Sequence, residues 1–111
     1  MAEPYWDWLT RVARTGAAAD LRSGLLERIA EWAQRDWRDL LMLLAPVHHL
    51  ATRLGMDVPA LFDEAAAGLP EAAAKRVRDF GPVDHGSPGA FGFAVDETPD
   101  GPRYRNGLAR S

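Results

Sequence analysis

Apolar residues recur at helical spacing from the start of the chain to about residue 80, and the pattern changes near Gly81. Tyr5, Trp8, Leu9 and Val12 follow an i, i+3, i+4, i+7 stripe, which predicts a first helix from Pro4 to Arg14. Pro4 suits a first turn, where a missing N–H costs nothing, and Gly16 suits a left-handed cap. Trp6 lies off that stripe, beside Asp7. Leu21, Leu25, Ile29 and Trp32, with Leu26 and Ala33 beside them, predict a second helix reaching about Arg35. It starts near Ala18 or Asp20, with Asp20 a candidate N-cap. Gly24 weakens its interior by up to ~1 kcal/mol relative to Ala. A close helix approach is the expected reason for it.

The third segment, Asp36 to Leu54, reads as the core helix. Trp37, Leu40, Leu41, Leu44, Val47, Ala51 and Leu54 form its stripe, and Leu43 and Leu50 widen it past half the circumference. A helix so apolar is surrounded by others. Leu41 and Leu44 are expected at the centre. Pro46 removes one backbone hydrogen bond and crowds the preceding turn. The outcome is one kinked helix or two short ones meeting at Ala45, and a stripe that stays in phase favours the kink. Asp57 and Pro59 then start a fourth helix, Val58 to Ala67, burying Leu61, Phe62 and Ala65. Leu69-Pro70-Glu71 opens a fifth, with Ala73, Val77 and Phe80 inward and Lys75, Arg76, Arg78 and Asp79 outward; Gly81 and Pro82 end it.

Beyond Gly81 the periodicity shortens to two. Phe91, Phe93 and Val95 alternate with Gly92 and Ala94, and Pro99-Asp100-Gly101 is a turn in which Pro presets φ and Gly accepts positive φ. Arg103-Tyr104-Arg105 is the expected return strand. A lone hairpin is marginal in water, so its phenylalanines must lie on the helices. The fold class is therefore mainly α: a compact bundle of about five helices over 1–82, with a Gly/Pro-rich link and hairpin-like tail over 83–111 in the same single domain.

Composition narrows the function classes. A chain of 111 residues with 47% hydrophobic residues buries a core without staples, and with no cysteine it has neither disulfides nor thiolate chemistry. No apolar run approaches the ~18 residues of a membrane span, and the first residues lack the form of a signal peptide. The expectation is a cytoplasmic protein. A net charge of −3 argues against nucleic acid as partner. Twelve of the thirteen basic residues are Arg and nineteen residues are Ala, the usage of a GC-rich bacterial genome.

Chemistry-bearing residues are sparse. His48 and His49 are neighbours on the core helix and point ~100° apart, so a straight helix cannot bring both to one metal. With His85 in the link they are the only histidines, weak candidates for a metal or acid-base role. Asp36, Asp39, Asp63 and Glu64 are scattered carboxylates, better suited to caps and solvated faces than to acid-base pairs. Gly86-Ser87-Pro88-Gly89 lacks the Lys-Ser/Thr of a phosphate loop. No catalytic residue and no cofactor is expected.

The surface residues suggest binding instead. Trp, Tyr and Arg dominate interface hot spots. Trp6, if it is not merely packed beneath the tail, Arg76 and Arg105 are the candidate partner-binding residues, and the Arg103–Arg105 segment suits an acidic partner. In size and composition the chain resembles bacterial adaptors, regulators and toxin-neutralising immunity proteins, a likeness that transfers no site residue. A small protein-binding module is the leading expectation. The alternative is a small enzyme or ligand-binding protein with a histidine-rimmed pocket between body and tail; a homo-oligomer is a third.

Overall fold

Pro4, in extended conformation, sets the entry to the first helix, and its carbonyl accepts the first helical bond, from Trp8 N–H at 2.9 Å. The computed structural model describes residues 3–82 and 91–107. Within them the order is α1 (Tyr5–Thr15), α2 (Ala18–Trp32), α3 (Trp37–Arg53), α4 (Val58–Ala66), α5 (Glu71–Phe80), β1 (Phe93–Thr98) and β2 (Gly101–Asn106). Five helices and an antiparallel hairpin packed on them are the architecture the periodicity predicts.

Gly16 closes α1 at φ 69°, as a left-handed cap. Asp20 does not cap α2. The helix begins two residues earlier, and Asp20 lies in its first turn, ion-paired with Arg11 at 3.1 Å. The helix also stops at Trp32 rather than Arg35. Asp36 caps α3 by accepting from Asp39 N–H at 2.9 Å, so the chain must leave α2 before it. Asp57 caps α4 in the same way, from Ala60 N–H at 3.1 Å.

Pro46 is buried inside a continuous α3, so the segment is one helix and not two. The break in its ladder falls at the Met42 carbonyl. One residue further on, the Leu43 carbonyl accepts from the Tyr5 hydroxyl at 2.6 Å, tying α1 to this turn. Burial pushes the Tyr5 phenol well above its ordinary pKa, so it stays a donor.

The core runs along α3. Leu40, Leu44, Val47 and Leu50 are fully buried against Leu9, Val12, Leu21, Leu25, Phe62 and Val77. Two expectations fail here. Leu41 is only partly buried, because it flanks the inward line of Leu40, Leu44 and Val47 by ~100°. Trp37 is 51% exposed rather than core. It is the first residue of α3, and helical side chains lean over the preceding turn, which does not exist there. The Arg38 guanidinium sits 5.3 Å from its ring centroid instead. Phe80 faces inward as expected, partly buried and packed against the core from its edge.

Candidate functional site

The hairpin is seated by α1 and α3. On α1, Trp6, Thr10 and Arg14 recur at i, i+4, i+8, a stripe beside the core stripe. Thr10 Oγ1 accepts from Tyr104 N–H at 3.0 Å and donates to Tyr104 C=O at 3.2 Å. One turn on, Arg14 Nε donates to Pro102 C=O at 3.2 Å. These bonds seal the outer edge of β2 along the helix.

The inner face of the hairpin turns to α3. The Tyr104 ring is buried, stacked on Phe93 with centroids 6.3 Å apart. Its hydroxyl lies 2.7 Å from His49 Nδ1. Burial raises the Tyr104 phenol, so it keeps its proton and donates to a neutral imidazole. The His49 pKa falls below the ordinary 6.5, chiefly through burial, with the Arg53 and His48 charges adding to it. Arg53 in turn holds Glu97 of β1 at 2.8 Å and lowers its carboxyl.

Outside these anchors lies an open groove between α1 and β2, lined by Trp6, Asp7, Thr10, Arg14, Arg103 and Arg105. Arg105 pairs with Asp96 at 2.6 Å and depresses that carboxyl. The Arg103 side chain makes no hydrogen bond or ion pair among the described residues, although its charge also lowers the Asp96 carboxyl. The Trp6 ring stands edge-on to Tyr5, 4.8 Å away. Its other side faces a second open groove with Arg35, Asp39, Met42, Leu43 and Phe91. Trp6 and Asn106 line both grooves.

The candidate residues thus separate. Trp6 and Arg105 share one groove. Arg76 lies elsewhere: it is partly buried rather than projecting, and its Nη2 donates to Ala33 C=O at 3.4 Å at the end of α2. His48 and His49 diverge as their helical offset requires, with His48 Nδ1 2.8 Å from Gly81 C=O. His85 lies outside the described residues. Among the described residues no three His, Asp or Glu side chains gather to hold a metal, and no helix is long and apolar enough to cross a membrane. Sequence reasoning missed Thr10 and Arg14. Their i+4 and i+8 spacing from Trp6 was the available signal. No protein-family model, no curated protein and no solved structure matches this chain.

Proposed function

We propose that the protein is a binding module for another protein, of the adaptor, regulator or neutralising kind, and that the groove between α1 and β2 takes an acidic segment of that partner. The observation that carries this is the composition of the groove. Trp6 offers a large apolar face, and Arg14, Arg103 and Arg105 stand around it with two acids, Asp7 beside them and Asp96 on Arg105. The Arg103 side chain has no ion pair of its own among the described residues, and Arg105 can exchange one carboxylate for another, because a half-exposed ion pair is worth little. Aromatic and Arg side chains give the most contact energy per residue at interfaces.

The histidine-rimmed pocket has less behind it. His48 and His49 are both engaged by structural partners, Gly81 C=O and the Tyr104 hydroxyl. Capture from an extract of the native host, with mass spectrometry, compares two folded variants. Trp6→Ala/Arg103→Ala/Arg105→Ala should lose the acidic partner, with wild-type capture weakening as salt rises. His48→Gln/His49→Gln should keep it. The reverse pattern would overturn the binding reading in favour of the pocket.

A further inference from the structure

The two edges of the hairpin are not equivalent. On β2 the outward main-chain groups of Tyr104 and Pro102 have partners: Tyr104 N–H and C=O meet the Thr10 hydroxyl, and Pro102 C=O meets Arg14. Pro102 has no N–H to satisfy. Across the ladder, Tyr104 faces Val95 and Pro102 faces Glu97. Facing residues of an antiparallel pair turn their main-chain groups either toward each other or both away. Since Tyr104 and Pro102 turn theirs out to α1, Val95 and Glu97 turn theirs out on the opposite side. Among the described residues the sheet has two strands, and nothing bonds to the main chain of Val95 or Glu97 on that side.

Exposed edges of this kind are usually blunted by Pro, Lys or a bulge. β1 reads Phe93-Ala94-Val95-Asp96-Glu97-Thr98 and has none of them. Its acids are already neutralised, Asp96 by Arg105 at 2.6 Å and Glu97 by Arg53 at 2.8 Å. One edge is therefore sealed and the other is a template for a further strand.

We propose that β1 pairs antiparallel with β1 of a second copy, about a two-fold axis at Val95, to make one four-stranded sheet across a dimer. The register follows from the sequence of the strand. With the axis at Val95, Val95 faces its own copy, Phe93 faces Glu97 and Ala94 faces Asp96. Val95 and its neighbours two residues away then exchange their outward main-chain bonds. Residues 93–97 of the strand are all paired and no acid faces an acid. Moving the axis to Asp96 would set two aspartates opposite each other, which is destabilising. Moving it to Ala94 would shorten the overlap. On the outer face each row would run Arg105, Ala94, then Asp96 and Arg103 of the second copy, so the residue directly opposite each Asp96 across the seam is an uncharged alanine. One short strand pair buries little surface, so the dimer is weak and concentration-dependent.

This interface lies on the opposite strand edge from the partner groove, which follows the sealed edge, although Arg105 reaches Asp96 from the groove side. Sedimentation of the full chain over a concentration series tests it. The mass should rise from 12.2 kDa toward twice that value. Val95→Pro should stay monomeric. The Val95 N–H is not in the ladder to β2, so its loss removes an edge donor without breaking the hairpin. Hydrogen exchange at Val95 and Glu97 should slow as concentration rises. Should Val95→Pro fail to fold, cysteines read the register instead, since the chain has none of its own. Ala94→Cys protein mixed with Asp96→Cys protein should form disulfide-linked dimers several-fold faster than either alone, because only the mixed pair is directly opposed. A monomer at every concentration would overturn the proposal. So would a dimer that persists in Val95→Pro, or one whose mixed cysteines couple no faster than the single ones. Amides protected only when a different protein is added would give the edge to another strand and overturn it as well.

Discussion

The indole of Trp8 lies on the bare backbone of Gly24: a Cβ at that position would stand 2.2 Å from the indole Nε1. The same nitrogen donates to Asp20 C=O at 3.2 Å, and the Arg28 guanidinium covers the ring from 4.3 Å. Arg28 itself is held by Gly24 C=O at 3.0 Å and Glu3 C=O at 2.7 Å, so the ring has no room to retreat. Gly24→Ala gains up to ~1 kcal/mol of helix propensity. Overpacking a fixed ring costs more, and a net loss of about 1–3 kcal/mol in denaturant melts is expected. A stabilised variant would mean that α1 and α2 can part without penalty.

Leu44 and Trp37 belong to the same stripe and should respond differently. Leu44 is fully buried, so Leu44→Ala should cost about 2–5 kcal/mol through lost transfer energy and the cavity left behind. Trp37 is half exposed, and Trp37→Ala should change stability by no more than about 0.5 kcal/mol. Equal losses in urea titrations would contradict the placement of Trp37 at the free entrance of α3.

Thr10→Val isolates the seal on β2. The substitution keeps the shape and removes the hydroxyl that serves both main-chain groups of Tyr104. Leaving those groups without partners should cost about 1–3 kcal/mol. Amide exchange at Tyr104 should accelerate well before that of the α3 core. Unchanged exchange there would place the anchor elsewhere.

His49 makes stability depend on pH. Its folded pKa lies below 6.5, so folding favours the neutral ring. The unfolded chain then binds more protons between the two values, and stability falls with them. The contribution is fully present above about 6.5 and is lost as pH drops through the lower, folded value. Glu97 and Asp96, also depressed, add their losses only further down, in the carboxylate range. His49→Gln retains a partner for the Tyr104 hydroxyl and does not titrate. Thermal melts from pH 7.5 to 5 should show a smaller decline for this variant than for wild type. Parallel curves would remove His49 from the pH response.

Much of this molecule was legible in one dimension. Helix positions followed from apolar period, and Asp36, Asp57 and Gly16 acted as local punctuation, because caps depend on residues within a turn of each other. The hairpin followed from the switch to period two and from Pro99-Asp100-Gly101, with Gly101 at φ 116°. Gly24 announced a close approach, though not to which ring. What tertiary structure alone decided depends on contacts between distant segments. The stripe on α3 did not say that Trp37 would find nothing to pack on. An outward Arg76 became a strut to Ala33 once α2 ended beside it. Thr10 looked like an ordinary polar helix residue until β2, 94 positions away, came to rest on it. That meeting seals one edge of the hairpin and leaves the other open, since a strand's main-chain groups point to alternate sides and only a neighbour in space can satisfy them.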